Sequence, residues 1–280
     1  MTMTLRCADK TLDLSRPVVM GVLNVTPDSF SDGGRFLAVE SAVAHGLRLV
    51  EEGAAIIDVG GESTRPGAAP VPADEEIRRV LPVVERLHRA APQVVISVDT
   101  SKPEVIREVV AAGAGLLNDI RAFQEPGALA AAAASGCAVC LMHMQGDPRT
   151  MQRAPSYVDV VKEVKAFLSA RAQACRAAGI APERIAIDPG FGFGKRLEHN
   201  LELLRHLREL VADGWPVLVG LSRKSIVGTL TGRAAGERVY GSVALAVIAA
   251  MSGARIIRAH DVAATVDALR VVAAVAVEGS

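Results

Sequence analysis

The sequence predicts a closed (β/α)8 barrel, or TIM barrel, that spans the 280 residues as one domain. Short apolar runs alternate with longer helical segments eight times, which favours parallel strands joined by crossover helices. Polar residues recur where these apolar runs end, and no linker or low-complexity tract interrupts the series. Eight units in one domain favour a closed barrel. An open doubly wound sheet is the alternative.

The chain begins with a segment that does not belong to the repeat. Residues 3–14 alternate weakly around Asp9-Lys10, which predicts a hairpin that could cap one end of the barrel. We therefore divide the domain into an N-terminal hairpin, residues 1–15, and a barrel, residues 17–280.

The eight strands are predicted from apolar runs that stop at turn or polar residues. The run Ile185-Ala186-Ile187 stops at Asp188, and Pro189 cannot donate to a sheet ladder. The glycine-rich turn that follows can adopt backbone angles that other residues resist. The predicted strands are 18–23, 55–60, 94–99, 115–120, 138–142, 185–188, 216–221 and 254–260.

Helices are predicted between these strands from helical periodicity and end signals. Acidic residues open the second helix, where they favour the positive end of its dipole. Ser101 is a candidate N-cap for the third helix, with Pro103 in its first turn. The predicted helices are 39–52, 74–89, 103–112, 126–135, 158–178, 201–211, 236–251 and 262–277.

Composition excludes several classes of function. The 31 basic and 31 acidic residues balance, and aromatic residues make up 3%, so nothing indicates nucleic acid or an anionic membrane as partner. Residues 1–9 lack the apolar core of a signal peptide, and no run is long enough to span a bilayer. Cys137 and Cys140 form a C-x-x-C, but residues three apart in a strand face opposite ways, so we interpret both as small core residues. A cytoplasmic protein is expected.

Polar side chains collect at the carboxyl ends of the predicted strands, where barrel active sites lie. A single such residue could be a helix cap, a solvated cation or a structural histidine, but their recurrence at most of the strands favours one shared site. Asp58 lies within a strand, and it is either a buried structural acceptor or a site residue. The strand-end candidates are Asn24, Ser63, Thr64, Arg65, Asp99, Asn118, Asp188, Ser222, Lys224, Arg258 and His260.

This set suits a flat heterocycle with N–H groups on its edges. Asp99, Asn118 and Asp188 offer acceptors, and carboxylates form the stronger hydrogen bonds. Lys224 can donate to a carbonyl oxygen or a ring nitrogen, and the Arg258 guanidinium can stack on a ring face or bind phosphate. The chain has neither a P-loop nor a G-x-S-x-G nucleophile elbow, and its glycines at 190, 192 and 194 lack dinucleotide-fingerprint spacing.

Five segments together resemble the dihydropteroate synthase family, the folate-pathway enzymes that sulfonamide drugs inhibit. The similarity covers nearly the whole chain and fits the bacterial single-domain form. The segments are Asn24-Val25-Thr26-Pro27-Asp28-Ser29-Phe30-Ser31-Asp32-Gly33-Gly34, Gly61-Glu62-Ser63-Thr64-Arg65-Pro66-Gly67, Asp99-Thr100-Ser101-Lys102-Pro103, Asp188-Pro189-Gly190-Phe191-Gly192-Phe193-Gly194-Lys195 and Ser222-Arg223-Lys224-Ser225.

The resemblance implies a reaction, in which 6-hydroxymethyl-7,8-dihydropterin diphosphate and 4-aminobenzoate give 7,8-dihydropteroate and pyrophosphate. It also implies a homodimer, and Mg²⁺ held with the help of Asn24. The catalytic residues would be Asp99, Asp188, Lys224 and Arg258. By the same resemblance, the pterin diphosphate would meet Thr64, Asp99, Asn118, Met142, Asp188, Phe193, Lys224, Arg258 and His260. The 4-aminobenzoate slot would include Arg65, Pro66 and Ser222, together with Thr64 and Phe193, and a mobile loop would carry Asp28 and Phe30.

Two other functions remain open at this stage. A pterin-dependent methyltransferase would share the barrel and the pterin residues, but it would not need Ser63-Thr64-Arg65 or Ser222-Arg223-Lys224 for an aminobenzoate slot. A non-catalytic pterin-binding protein would have little use for the long first loop, residues 24–34.

Overall fold

The computed structural model describes residues 3–25, 34–64 and 67–276. Its first two strands, β1 (Thr4–Cys7) and β2 (Lys10–Asp13), form the predicted antiparallel hairpin. The hairpin packs against the barrel interior. Leu5, Cys7 and Leu14 are fully buried against residues at the amino ends of the barrel strands, such as Met20 and Ile56. The hairpin therefore closes one end of the barrel, as predicted, and the structure shows that this is the end opposite the strand carboxyl ends.

Eight parallel strands form the barrel, which confirms the predicted fold class. Their order in the sheet is β8-β7-β6-β5-β4-β3-β10-β9. The two outer strands of that series, β8 and β9, meet through one isolated parallel bridge between Ile187 and Val217. Each of the other junctions has three to five paired positions. The barrel strands are β3 (Val18–Asn24), β4 (Ile56–Gly60), β5 (Val95–Asp99), β6 (Leu116–Asp119), β7 (Ala138–Met142), β8 (Ile185–Asp188), β9 (Leu218–Gly220) and β10 (Ile256–Ala259).

Helices follow every barrel strand and cover the outer face. A large apolar cluster joins the outward side chains of the strands to these helices, and a smaller one fills the amino end of the barrel. The helices are α1 (Gly34–Glu51), α2 (Ala73–Ala90), α3 (Pro103–Ala111), α4 (Ala128–Ser135), α5 (Val160–Ala177), α6 (Leu197–Arg205), α7 (Leu207–Val211), α8 (Ser225–Thr231), α9 (Val239–Met251) and α10 (Val262–Ala276).

Three local predictions are wrong. The predicted sixth helix is two helices, α6 and α7, because the backbone leaves helical geometry at His206. The short helix α8 precedes α9 where only one helix was expected. Ser101 does not cap α3: the cap position is Lys102, and the Ser101 hydroxyl instead donates to Asp119 Oδ1.

The C-x-x-C cysteines are core residues, as interpreted from the sequence. Cys137 belongs to the outer apolar cluster and Cys140 to the inner one, and both are fully buried free thiols. Within the described ranges, none of the helices is both long and apolar enough to cross a membrane.

Candidate active site

A row of neighbouring positions crosses four strands at the mouth of the barrel. Asn24 pairs with Gly60, Gly60 with Asp99, and Asp99 with Asn118. A Cβ at Gly60 would lie 3.7 Å from Asn24 Oδ1 and 3.8 Å from Asp99 Cβ, so these two side chains flank the glycine. Residues far apart in sequence thus share one edge of the mouth.

Asp58 lies beneath this row and connects three strands to its own. Its side chain is fully buried, and it accepts from Ser97 Oγ at 2.6 Å, Asn118 Nδ2 at 3.2 Å and Arg258 Nε at 2.6 Å. Buried carboxylates need such partners, because an unpaired charge is costly in the interior. The alternative left open by the sequence is therefore resolved toward a buried acceptor, which fixes Asn118 and Arg258.

Asp99 and Arg258 form the charged centre of the mouth. Arg258 Nη2 lies 3.5 Å from Asp99 Oδ2. Burial and the nearby Asp58 charge raise the pKa of Asp99 to about 8, although Arg258 opposes that shift. Burial works to lower the pKa of Arg258, but the charges of Asp58 and Asp99 outweigh it and raise the pKa. Arg258 therefore stays charged, and Asp99 is the member of the pair that can give up or take a proton when a ligand arrives.

Asp188 ends β8 and Lys224 lies in the turn that follows β9, so both lie at the carboxyl ends of the two strands that the single bridge joins. Asp188 ends β8, pairs with Met142 on β7, and accepts from the Gly190 N–H at 2.7 Å. Burial raises the pKa of Asp188, while the Lys224 charge works in the opposite direction. Burial also lowers the pKa of Lys224 to about 8, against the pull of Asp188. Each charge is thus held in its ionised form chiefly by the other.

The segment between these two residues is the glycine loop, residues 189–195. Its glycines at 190, 192 and 194 have φ values of +68°, +80° and +60°, which other residues rarely adopt. A Cβ at Gly190 would lie 1.9 Å from the His143 carbonyl oxygen. The loop can therefore lie directly against the β7 connection. From it, the Phe191 carbonyl accepts from Lys224 Nζ, and the Phe193 ring lies 4.6 Å from the same nitrogen.

A buried lysine, Lys195, holds the glycine loop in place through hydrogen bonds. Lys195 is 3% exposed, and its Nζ contacts Gly190 O at 2.8 Å, Phe193 O at 3.0 Å and His143 Nδ1 at 3.0 Å. Burial lowers the pKa of Lys195 to about 7. Burial and the Lys195 charge lower the pKa of His143 to about 3, so its imidazole is neutral and can accept.

The remaining candidates lie around the rim. Ser222 Oγ is 3.1 Å from both the backbone nitrogen and Nδ1 of His260. Arg223, between Ser222 and Lys224, has φ +58° and forms two contacts with Asp261, at 3.0 and 2.5 Å. This ion pair anchors the turn from which Ser222 and Lys224 project.

A cleft of about 390 Å³ opens beside this cluster, lined by Thr64 and Asp99 among others. Asn118, Asp188 and Lys224 line no part of this cleft, which lies next to them rather than over them. Lys102 Nζ donates to both Glu62 and Glu76 in its wall, and the Arg79 guanidinium donates to Gly61 O at 2.9 Å. These contacts hold the start of the 61–67 loop against α2 and α3.

Most of the predicted set occupies this one mouth. Four predicted residues, Asp28, Phe30, Arg65 and Pro66, lie outside the described residues. Sequence reasoning missed Lys195, His143 and Asn200 as supports of the site, although Lys195 and His143 do border strand ends that it had singled out. The predicted residues that the structure places around the mouth are Asn24, Thr64, Asp99, Asn118, Met142, Asp188, Phe193, Ser222, Lys224, Arg258 and His260.

The donor set fits a metal that arrives with a phosphate group. No group of three or more His, Cys, Asp or Glu side chains in the described ranges is arranged to hold a metal ion on its own. Asn24 is exposed at the mouth, with its amide oxygen on the side of Gly60. One neutral oxygen ligand suits Mg²⁺, which keeps several waters and binds phosphate oxygens.

Comparison with known proteins agrees with this geometry. The family model described as "Pterin binding enzyme" matches residues 20–260. Dihydropteroate synthase from Escherichia coli K12 is 58% identical over 263 residues, which cover 94% of this chain and 93% of that protein.

Two solved structures are similar over almost their whole length. Xanthomonas albilineans dihydropteroate synthase with 4-aminobenzoic acid has a TM-score of 0.94 and 56% identity, with 100% of both chains covered. A Xanthomonas albilineans dihydropteroate synthase structure in complex with 7,8-dihydropteroate has a TM-score of 0.88 and 50% identity, and the match covers 99% of this chain and 100% of that one. On this evidence the chain belongs to the dihydropteroate synthase family of pterin-binding enzymes.

Proposed function

We propose that this chain condenses 6-hydroxymethyl-7,8-dihydropterin diphosphate with 4-aminobenzoate to give 7,8-dihydropteroate and pyrophosphate. The observation that carries the proposal is the convergence of Asp99, Asn118, Asp188, Lys224 and Arg258 at one mouth of the barrel. Acceptors on one side and cations on the other match the edges of an amino-pyrimidinone ring.

Asp188 is the proposed acceptor for the N–H edge of the pterin. Its carboxylate can accept two hydrogen bonds from the ring, and charged acceptors form the stronger ones. Lys224 Nζ faces the same space and would donate to the ring carbonyl or a ring nitrogen. Arg258, held in place by Asp58, would cover one face of the ring. Met142 pairs with Asp188 across the strands and would pack on the ring.

The diphosphate would lie above the ring, toward Asn24, Arg258 and His260. Mg²⁺ bound there with the help of Asn24 would neutralise charge on the departing diphosphate oxygens. Arg258 and His260 would stabilise the same charge electrostatically. The bond between the pterin methylene carbon and the diphosphate oxygen breaks first, and its electron pair leaves with pyrophosphate. The carbon left behind is cation-like, and the Asp188 carboxylate, together with Asp99 once it has given up its proton, would stabilise it.

The aryl amine then attacks this carbon from a slot beside the ring. Phe193, Ser222 and Thr64 would line the slot, completed by Arg65 and Pro66, and the loop with Asp28 and Phe30 would cover it. The amine is uncharged at neutral pH, so its nitrogen lone pair forms the new C–N bond and one N–H proton is released. Positioning supplies much of the rate in such a step. Sulfonamides, which resemble 4-aminobenzoate, would compete for the same slot.

Pyrophosphate release tests the proposal directly. The protein is incubated with the pterin diphosphate and Mg²⁺, with and without 4-aminobenzoate. The synthase forms dihydropteroate and sustained pyrophosphate only when the arylamine is present. Binding of the pterin without any product would instead identify a non-catalytic pterin-binding protein, and methyl transfer from a methylated pterin would identify a methyltransferase.

The Asp188→Asn variant tests the pterin-binding role. It replaces an acceptor with an amide that can turn a donor toward the N–H edge of the ring, so affinity for a pterin analogue should fall by about 100-fold or more. Calorimetry with 6-hydroxymethylpterin measures this affinity. Affinity within threefold of wild type would exclude Asp188 from the ring edge.

The assembly of the protein is a second part of the proposal. We infer a cytoplasmic homodimer in which each chain is one pterin-binding domain. The support for the dimer is an apolar face on the packed helices α9 and α10, where Tyr240, Ile248, Met251, Val271 and Val275 are largely exposed. The four buried free cysteines fit a reducing compartment. Analytical sedimentation of the wild-type protein should find a dimer. The double variant Met251→Glu, Val275→Glu should sediment as a monomer, and an unchanged sedimentation coefficient would exclude this face as the dimer interface.

A further inference from the structure

We propose that Lys195 is a positioning residue for the reaction proposed above, because its side chain fixes the glycine loop in the conformation that brings Phe191 O and the Phe193 ring to Lys224. It touches none of the expected substrate positions, and its hydrogen bonds act on the site through the loop. The proposal rests on the proposed function, since it concerns how the arylamine slot is shaped.

The contacts of Lys195 match the donors of an ammonium group. An ammonium has three N–H donors, and the three nearest acceptors are Gly190 O at 2.8 Å, Phe193 O at 3.0 Å and His143 Nδ1 at 3.0 Å. His143 O, at 3.3 Å, is a longer fourth contact. Two of the acceptors belong to the glycine loop itself and two to the residue that follows β7. Lys195 therefore ties the loop to a neighbouring strand end.

The histidine in this contact is held in the form that can accept. Its ring packs edge-on against Phe167, with centroids 5.0 Å apart, and lies 6.1 Å from the Tyr157 ring. The groups around Lys195 and His143 include Asp188 and Lys224, whose charges act on Lys195 in opposite directions. The neutral imidazole and the loop carbonyls thus form one closed set of acceptors for a single buried cation.

Further contacts hold the same loop without charge. Asn200 Oδ1 accepts from the Gly192 N–H at 2.7 Å, and Tyr157 Oη donates to Gly194 O at 2.8 Å. Gln152 Nε2 donates to Gly192 O. Among the contacts described for the loop, only the one from Lys195 is donated to the carbonyl oxygen of Phe193. Removal of Lys195 should therefore free the Phe193 end of the loop more than the Asp188 end.

The two ends of the loop should respond differently for a structural reason. Asp188 lies within the ladder of β7 and β8, and the His143 N–H donates to Asp188 O at 3.0 Å. Phe193 has no such ladder contact and is half-buried. Loss of Lys195 should consequently affect 4-aminobenzoate more than the pterin.

The test is Lys195→Met, which keeps an unbranched side chain, one atom shorter than lysine, and removes all three donors. We expect KM for 4-aminobenzoate to rise about tenfold, while the Kd for 6-hydroxymethylpterin rises less than about threefold. Lys195→Arg should not restore the wild-type KM, because a planar guanidinium cannot present the same three donors. A purely structural role would reduce the fraction of active protein and kcat but would leave KM unchanged.

A milder variant covers the case in which Lys195→Met does not fold. Tyr157→Phe removes only the hydroxyl that donates to Gly194 O, and it should raise KM for 4-aminobenzoate about threefold. Lys165→Met is the matched control. This lysine belongs to α5 and pairs with Asp213 at 2.9 Å. None of the contacts described for it involves the loop, and its loss should leave KM unchanged.

Equal KM values in wild type, Lys195→Met and Tyr157→Phe would overturn the positioning role. If Lys195→Met does not fold, an unchanged KM in Tyr157→Phe overturns it. Failure of the proposed function is a separate result, because in that case the wild-type protein would release no pyrophosphate with the two substrates.

Discussion

Arg258 donates from Nε to Oδ2 of the fully buried Asp58 at 2.6 Å, which connects β10 to β4 across the intervening strand β3. The two residues are 200 positions apart in the chain. Asp58 also accepts from Ser97 and Asn118, so one carboxylate holds two of the proposed pterin-binding residues. The floor of the site is thus a hydrogen-bonded network rather than a patch of independent side chains.

Removal of the Asp58 charge should destabilise the fold as well as the site. Asp58→Asn leaves the Arg258 cation with only its longer contact to Asp99, at 3.5 Å, and breaking one side of such a buried pair costs about 3 kcal/mol or more. Urea unfolding of the ligand-free protein measures this change. Glu85→Gln, which removes an exposed contact to Arg89 of 3.9 Å, is the control and should change stability by less than about 0.5 kcal/mol. A loss below 1 kcal/mol in Asp58→Asn would contradict the network.

The Asp99 carboxyl should give the ligand-free protein a specific dependence on pH. Its pKa is raised from 3.8 to about 8, so the folded chain binds an extra proton between these values. Stability must then fall as pH rises through this window, by up to about 1.4 kcal/mol per pH unit. Asp99→Asn removes the titrating carboxyl, so the stability of this variant should fall less between pH 5 and pH 8.

Thermal unfolding at pH 5, 6, 7 and 8 compares wild type with Asp99→Asn. The control is Asp74→Asn, a surface carboxylate on α2 that should keep the wild-type pH profile. Parallel profiles for wild type and Asp99→Asn would show that Asp99 is not the titrating group.

Lys224 should make pterin affinity depend on pH in the alkaline range. A lysine is charged below its pKa, and burial lowers the pKa of Lys224 to about 8. Affinity of wild type for a pterin analogue should therefore fall above pH 8, by up to tenfold per pH unit, because the free site loses its cation. Lys224→Met should bind about 10- to 100-fold more weakly at pH 7. The ratio of wild-type affinity to Lys224→Met affinity, measured by calorimetry, should shrink between pH 7 and pH 9.5. A constant ratio would exclude Lys224 as the cation whose titration controls pterin binding.

Gly190 should tolerate no side chain. Gly190→Ala places a Cβ 1.9 Å from His143 O at φ +68°, so the loop must shift in addition to the strain of that φ. Gly232→Ala is the matched control, since its φ is +70° and no atom lies within 4 Å of the added Cβ. The control should cost only about 1–2 kcal/mol, the strain of a left-handed residue.

Pterin binding separates the two glycine variants further. Gly190→Ala should lose measurable pterin affinity, because the Gly190 N–H also donates to Asp188. Gly232→Ala should bind the pterin like wild type. Equal losses of unfolding free energy in the two variants would show that the loop can shift to accommodate the Cβ at little cost, which would contradict the prediction.

The sequence could predict the barrel and the polar strand ends, because both follow from apolar periodicity and from where each run stops. It could not decide the role of Asp58, since its partners on β5, β6 and β10 lie 39, 60 and 200 residues away. The sequence also could not predict the contacts of Lys195, because most of its acceptors are backbone carbonyls, which every residue type carries.

Helix boundaries were missed for local reasons. The apolar spacing of residues 197–211 continues across His206, so the break between α6 and α7 has no pattern to mark it. Helix α8 is seven residues long and contains Gly228, which weakens any helical signal. Ser101 had the composition of a cap, but the buried acceptor Asp119 lies within its reach and takes its hydroxyl.

The barrel wall has its fewest backbone cross-links where the proposed chemistry takes place. Strands β8 and β9, which lead to Asp188 and Lys224, share one bridge between Ile187 and Val217. A molecule that contacts both of these side chains spans the gap between the two strands and adds the connections that the main chain omits there. A bound ligand therefore stabilises the barrel at the strand junction with the fewest backbone hydrogen bonds. The increase in the free energy of unfolding becomes a direct measure of substrate or inhibitor binding.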